Sequence, residues 1–323
     1  MNSQRENVLG IDIGGTKSIV GIADRAGTLL AHKRVSTPNA LGPDANLNTI
    51  LAASHQVIGE SGGQIKAIGI GCGGPLDRKS GVLHKVANLP GWEGICLTKL
   101  FQNEFGAPAF LDNDATAAAL GEARYGAGKR FDDFIYLTVS TGIGGGIIIG
   151  GQPYRGRGEN AGEIGHTKII PDGPPCKCGD RGCLEALSSG TAIARIAKEG
   201  LPSHPDSSLN NLKDPLTAEA VAKAAKNGDS YAAEVWQDAM YHLGIGIANV
   251  VNILNPQAVI IGGGVANAGE MLFEPVTKTV KQRAMKVLAA DVEILPSAHG
   301  DLIGVVGAVA IAWEGLLAAP QAP

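Results

Sequence analysis

Apolar residues near the start of the chain come in short runs broken by glycine. "NVLGIDIG" and "KSIVGIADRAGTLLAHKRV" predict strand, glycine turn, strand, turn, strand over residues 7–36. Apolar positions at helical spacing predict a helix around Leu47–Gly59. A buried strand "IKAIGIG", a short helix "LTKLFQNEFG" and a strand "APAFLDND" that ends on carboxylates follow. "DATAAALGEARYG" has helical composition, with Asn113 placed to cap its start and Gly126 to stop it. The opening pattern then returns. "FIYLTVSTGIGGGIIIGGQP" again predicts strand, glycine turn, strand, turn, about 130 residues after the first hairpin. Helical runs near 189–199, 217–227, 231–253 and 269–286, and strands "AVIIGGG" and "VEILPS", complete the second half; residues 200–216 read as a surface loop. Alternating strands and helices predict an α/β protein in two halves of similar build, each presenting a glycine turn.

Composition narrows the partners. The 323 residues carry 44% hydrophobic and 18% charged positions, enough for two domains with substantial cores. A net charge of −4 gives no electrostatic footprint for nucleic acid or an anionic membrane, so a small-molecule partner is expected. The first residues are polar and run straight into a strand pattern, with no apolar signal core. "LIGVVGAVAIAW", Leu302 to Trp313, is shorter than the ~20 residues a bilayer span needs and predicts a buried helix. Five cysteines without an export signal point to the reducing cytoplasm.

Three glycine motifs fail on context. "GIDIGGTKS" has Thr16 where a P-loop needs Lys. Gly69-Ile-Gly71-Cys-Gly73-Gly74 satisfies G-x-G-x-x-G, but Pro75, Leu76 and Asp77 follow it instead of a helix. "GGGVANAG" lacks the third glycine. What remains is a pair of hairpin turns whose backbone N–H groups can face an anion. In the first, Gly14 and Gly15 are flanked by Asp12, which could hold Mg²⁺ through water, and by Thr16 and Lys17. In the second, Thr141 leads into Gly142, Gly144 and their neighbours. Either turn alone could be an ordinary β-hairpin; two, one of them carrying Asp and Lys, favour phosphate binding.

Three of the five cysteines crowd into "EIGHTKIIPDGPPCKCGDRGCLEA". Cys176, Cys178, Cys183 and His166 make the Cys₃His set of a closed structural zinc site. A stretch this rich in Pro, Gly and charge is a poor place to bury unconnected thiols, and an ion would hold together a loop with too few apolar side chains to pack by itself. Cys72 and Cys96 lie apart and are expected in the core.

"IDIGGTK", "LDNDATAAALGE", "STGIGGG", "GEIGH", "CKCGDRGCLE" and "NPQAVIIGGG" occur in the order seen in the ROK family of sugar kinases and repressors, and the resemblance runs from Val8 to the helix after Gly300. It implies a two-domain, actin-like ATPase (ribonuclease H-like) α/β fold, with ATP and sugar in the cleft between domains. The boundaries expected are residues 1–116 plus 304–323 for the small domain and 117–303 for the large one. The implied activity is transfer of the ATP γ-phosphoryl group to the 6-hydroxyl of a hexose, glucose first. Asp114 would be the base and would contact the sugar with Asn113, Glu163, His166 and Glu185; Asn88 and the "GCGGPLD" loop would complete the pocket. Gly262, Gly263 and Gly264 would lie on the adenosine side. A homodimer or dimer of dimers is also implied. The chain departs from the family at Gly73, where most members carry Pro.

Asp and Asn are preferred helix caps, so one of Asp112, Asn113 and Asp114 taken singly could be only that. For a base the chemistry agrees with Asp114: an alcohol attacking a phosphoryl group needs a carboxylate that orients the hydroxyl and takes its proton, and a helix N-terminus favours the ionised form. N-acetylglucosamine and N-acetylmannosamine kinases use the same set, and polyphosphate could replace ATP as donor. A sugar-responsive repressor would need a helix-turn-helix module, for which the roughly seven residues before the first strand are too few. A catalytically dead sensor is disfavoured by the presence of Asp12, Asp114, Glu163, His166 and Glu185 together.

Overall fold

The computed structural model describes residues 6–61, 64–86 and 88–318. The first predicted pattern forms an antiparallel meander of β1 (Asn7–Ile13), β2 (Lys17–Ala23) and β3 (Leu29–Ser36), paired Ile11 with Val20 and Val20 with Lys33. Helix α1 (Gly42–Ser61) leads to β4 (Ile65–Cys72), which lies parallel to β1 with Ile11 opposite Ile70. A two-stranded ribbon of β5 (Leu76–Asp77) and β6 (Val82–Leu83) and helix α2 (Leu97–Phe105) precede β7 (Ala109–Asn113), parallel to β4. The sheet order is β3-β2-β1-β4-β7.

After α3 (Asp114–Tyr125) the pattern repeats with β8 (Phe134–Val139), β9 (Ile143–Ile149) and β10 (Gln152–Pro153). Helices α4 (Leu184–Ser188), α5 (Gly190–Gly200), α6 (Ala218–Lys226) and α7 (Ser230–Leu254) follow. Then come β11 (Ala258–Gly262), α8 (Glu270–Arg283), α9 (Lys286–Asp291), β12 (Glu293–Pro296) and α10 (Ile303–Ala318). The second sheet runs β10-β9-β8-β11-β12, with β11 parallel to both β8 and β12. Each sheet therefore sets a hairpin beside two parallel strands, which is the duplication expected from the sequence.

The described residues within Met1–Asp132, Gly146–Gly162 and Ser297–Pro323 form one compact unit, and Asp133–Gly145 with Glu163–Pro296 form the other. The boundary drawn from sequence at 116 falls inside α3, which packs whole in the first unit. There, β1 and β4 read as nearly unbroken apolar runs because both faces are covered. One face holds Leu9, Ile11, Ile68 and Ile70 against α1 and α2 through Ile50, Val57 and Phe101. The other packs Val8 and Ala67 on Val309 and Ala312 of α10. Each such aliphatic side chain contributes roughly 1.5–3 kcal/mol by leaving water. The segment Gly300–Ala318 is the one helix among the described residues long and apolar enough to cross a membrane. Its stretch Val305–Ala312 is instead buried against the sheet and against Ala117 and Leu120 of α3.

Two expectations need correction, the start of the first helix and the burial of Cys96. Helix α1 begins five residues before Leu47, at Gly42, because Pro43 suits a first turn and Asp44 favours a helix start. The helix expected near 269–286 is α8, which ends at Arg283; there the Met285 N–H turns to the Asn252 side chain at 2.8 Å and a second short helix, α9, begins at Lys286. The surface loop expected over 200–216 is found after α5, carrying two short 3₁₀ turns, and the Asp229 carboxylate gathers Ser207 and Ser208 onto the start of α7. Cys72 is buried as expected; Cys96 is half-exposed, its thiol donating to the Ser80 carbonyl at 3.2 Å.

Candidate active site

In the first unit the chain turns between β1 and β2 at Gly14-Gly15-Thr16, closed by the Gly14 N–H on the Lys17 carbonyl at 3.1 Å. Thr37 braces it, donating its hydroxyl to the Gly14 carbonyl and its N–H to the Thr16 carbonyl. Thr16 and Lys17 are exposed at the tip. A Cβ on Gly15 would run into the carbonyl oxygen of Asn88, so a side chain there cannot coexist with the observed Asn88 loop. That loop is tied down from the other side by Asn39, whose amide donates to the same carbonyl at 3.1 Å. Asn88 itself is exposed beside the glycine turn.

Asp12 is the penultimate residue of β1, just before this turn, and its carboxylate occupies the space a Cβ on Gly304 would need in the first turn of α10. Burial raises the Asp12 carboxyl to about 7, reinforced by the charge of Asp114 and opposed by Lys17. Two carboxylates sharing one environment in this way attract a cation or hold a proton.

Asn113 and Asp114 join β7 to α3. The Asn113 side-chain oxygen caps the helix, accepting the N–H groups of Ala115 and Thr116 at 3.0 and 3.2 Å. This leaves its amide N–H groups to donate elsewhere, so capping and ligand contact are compatible. Asp114 Oδ1 accepts the Ala115 N–H at 2.8 Å. Burial raises the Asp114 carboxyl above the usual range, with that N–H opposing. A carboxylate tuned upward toward neutral pH is the more effective proton acceptor. Its other oxygen faces the "GCGGPLD" loop, 3.9 Å from where a Cβ on Gly73 would sit.

In the second unit Thr141 and Gly142 form the turn between β8 and β9, closed by the Ser140 N–H on the Gly142 carbonyl at 2.9 Å. Gly144 continues into β9. Gly262 ends β11 opposite Thr138 of β8, and Gly263 (φ 88°) lies so close to Val139 that a side chain would strike its backbone. Gly264 then starts a 3₁₀ turn, so the three glycines sit next to the second hairpin turn. Sequence reasoning missed a third participant, the start of α5. The Gly190 N–H donates to Ser140 and the Thr191 hydroxyl to Thr141, at 2.7 Å each. "SSGT" directly after the cysteine motif was the available signal.

The same unit brings His166, Cys176, Cys178 and Cys183 together, all four donor atoms within 4.8 Å of one another. The Cys178 and Cys183 sulfurs are 3.7 Å apart, and Cys176 Sγ is 3.6 Å from His166 Nδ1. Bonds of ~2.3 Å to sulfur and ~2.0 Å to nitrogen give a tetrahedron with edges of ~3.5–3.8 Å. The residues therefore fit a four-coordinate ion. The Lys168 ammonium donates to Cys183 Sγ and lies 3.1 Å from Asp180, offsetting the charge of a thiolate set. Burial pushes the Cys176 thiol up to about 12, so a metal would have to displace its proton. Facing the cluster with Nδ1 leaves His166 Nε2 on the side of Glu163, 3.7 Å from its Oε2. Glu185, in α4, reaches back with Oε2 to accept the Ile143 N–H at 2.9 Å, while Oε1 is 3.9 Å from Cys176 Sγ.

Comparison with known proteins agrees with this layout. Residues 8–314 match the ROK family. A glucokinase from Thermotoga maritima is 36% identical over 311 residues, covering 95% of this chain and 97% of that one. A xylose repressor from Caldicellulosiruptor bescii is 31% identical over 330 residues, covering 99% of this chain and 82% of the repressor. Among solved structures, a ROK family glucokinase from Streptomyces griseus in complex with glucose and AMPPNP superposes with a TM-score of 0.85 at 34% identity, covering 96% of this chain and all of that one. The α/β fold is thus the two-domain actin-like fold of those kinases, as the sequence implied. With the family matched almost end to end and its motifs standing where the glycine turns, the Asn113–Asp114 corner and the cysteine cluster are found, the chain belongs to the ROK family.

Proposed function

We propose that this protein is an ATP-dependent hexose kinase that phosphorylates the 6-hydroxyl of glucose. The observation that carries the reading is the placement of Asp114: a carboxyl in the first turn of α3, anchored through one oxygen, raised by burial and within electrostatic reach of Asp12. In this role its free oxygen accepts the hydroxyl proton as the alcohol attacks the γ-phosphorus, and the Ala115 N–H holds the carboxylate in line. Asn113 would donate its amide to a neighbouring hydroxyl, and Asn88 would close the pocket. Glu163, His166 and Glu185 would read further hydroxyls, His166 donating through Nε2. The Gly14–Lys17 and Thr141–Gly144 turns would cradle phosphates, and Gly262–Gly264 would face the adenosine.

Mg²⁺ bound with ATP would neutralise charge on the phosphates, and Asp12 is the residue positioned to hold its water shell. The Cys₃His cluster would hold Zn²⁺ as a structural ion. A cytoplasmic homodimer or dimer of dimers accompanies this reading, and light scattering tests the assembly.

The xylose repressor likeness supports one competing reading, a sugar sensor without catalysis. Measuring ATP consumption over glucose, N-acetylglucosamine, N-acetylmannosamine, mannose, fructose and allose separates the two. The kinase reading expects the highest kcat/KM with glucose and loss of turnover, with sugar binding retained, in Asp114→Asn. Sugar binding without turnover in the wild type would favour the sensor.

A further inference from the structure

The loop after β10, residues 154–161, belongs to none of the motifs above, yet it braces the catalytic corner from behind. It is tied to β9 by the Tyr154 N–H on the Ile147 carbonyl at 2.8 Å and closed on itself by the Ala161 N–H on the Arg155 carbonyl at 3.0 Å. From this loop Arg155 inserts its guanidinium against Asp112, Nε and Nη2 meeting the same Oδ2 at 2.9 and 2.6 Å. The pair is shielded, with side-chain exposures of 20% for Arg155 and 3% for Asp112. The other oxygen of Asp112 accepts the Asn113 N–H at 2.9 Å. Asp112 therefore has no freedom left: one oxygen is fixed by Arg155 and the other fixes the backbone of the residue that caps α3 and precedes Asp114.

A second tie leaves the same loop. Glu159 meets Arg78 Nε at 2.6 Å, and Arg78 directly follows the "GCGGPLD" loop that faces Asp114 Oδ2. Glu159 is held at φ 61°, a strained conformation for a side-chain-bearing residue that persists where surrounding bonds over-determine it.

We propose that Arg155 is a positioning residue for phosphoryl transfer, acting through Asp112 to hold the Asn113–Asp114 corner in its productive geometry. The assignment deepens the kinase reading and rests on it. Arg suits the place better than Lys because a planar fork fixes the orientation of Asp112, not only its charge. An error of about 1 Å in a reacting group can cost about 100-fold in rate.

Removing Arg155 alone would strand a buried carboxylate and could unfold the corner. The decisive variant is therefore Arg155→Met combined with Asp112→Asn, compared with Arg155→Lys and the wild type. Melting temperature, kcat, KM for glucose and for ATP, and hydrogen exchange at the Ala115 and Thr116 amides would be read together. The double variant should melt near the wild type, lose about 10- to 100-fold in kcat, keep its KM for ATP within about twofold, and exchange faster at those two amides. Arg155→Lys should fall between. A double variant with wild-type kcat and unchanged exchange would reduce the pair to charge neutralisation and overturn the assignment. If the wild type itself showed no turnover, the kinase reading would fall, while the exchange data alone would still decide whether Arg155 orders the corner.

Discussion

Glu185 Oε2 accepts the backbone N–H of Ile143 at 2.9 Å, so a side chain beside the cysteine cluster holds the first residue of the strand that leaves the second glycine turn. The contact is so close that a Cβ on Gly142 would strike the Glu185 carboxylate. Its other oxygen is 3.9 Å from Cys176 Sγ. The cysteine loop and the second hairpin are therefore mechanically linked, so an ion held by the cluster would also brace the turn proposed to cradle phosphate.

Metal removal should accordingly be felt on the nucleotide side as well as the sugar side. Cys178→Ser, or treatment with a strong chelator, should lower the melting temperature and raise KM for both substrates, by about 10-fold or more. Glu185→Gln should keep the metal content measured by atomic emission yet weaken the bond to Ile143. A charged acceptor replaced by a neutral one costs about 1 kcal/mol, or roughly fivefold in KM for ATP. Unchanged ATP affinity in the stripped protein would break the proposed connection.

Asp12 gives the pH dependence. Its carboxyl is raised from 3.8 to about 7 in the folded chain, so between those values the folded state binds more protons than the unfolded one. Its contribution to stability is then greatest below the ordinary carboxylate value and declines as pH rises through about 7. Asp12→Asn removes that decline. Denaturation of both proteins without nucleotide or Mg²⁺ should find the variant gaining on the wild type by about 1–2 kcal/mol between pH 4.5 and 7.5, after allowance for partial exposure. The same variant should lose most of its kcat. Parallel stability curves would show that Asp12 is not held against its charge.

Much of this arrangement was legible in the chain because short-range rules decide it. The period of β1, β2, β8 and β9 and the glycines between them gave both hairpins, and Asn113 and Gly126 marked both ends of α3. The gathering of His166, Cys176, Cys178 and Cys183 was readable because ligand chemistry restricts residue type and spacing together. What escaped was decided at long range. Asp112, in β7, and Arg155, in a loop without periodicity, are 43 positions apart. The break between α8 and α9 has no glycine or proline to announce it, since the side chain of Asn252 satisfies Met285 instead. Cys96 was expected inside because cysteine usually is; it sits half-exposed at the start of α2, bonded to Ser80.

Gly73, where the resemblance expects Pro, should accept a side chain. The nearest atoms to a Cβ there are Val86 Cγ1 at 3.5 Å and Asp114 Oδ2 at 3.9 Å, both ordinary contacts, and its φ is not in the left-handed region. Gly73→Ala should then stabilise by about 0.4–1 kcal/mol, by restricting the unfolded chain, and leave kcat within about twofold. Calorimetry and steady-state kinetics check the two halves separately. A stable variant that had lost activity would mean the loop beside Asp114 needs its freedom.

Gly15 is the opposite case. A Cβ there meets the Asn88 carbonyl oxygen, with the Asn88 carbonyl carbon and Cβ both at 3.3 Å behind it. Backbone cannot swing aside as the end of a long side chain can, and Asn39 holds that carbonyl from the far side at 3.1 Å. Gly15→Ala must therefore displace either the glycine turn or the Asn88 loop, at a cost of about 1–3 kcal/mol in stability. Because both are assigned to substrate, kcat/KM for glucose should fall about 100-fold. Asn39→Ala frees the Asn88 carbonyl, so adding it to Gly15→Ala should recover part of the loss, a coupling of about 0.5–1 kcal/mol in a double-mutant cycle. Strict additivity would mean that the alanine is absorbed by the glycine turn and that the two loops move independently.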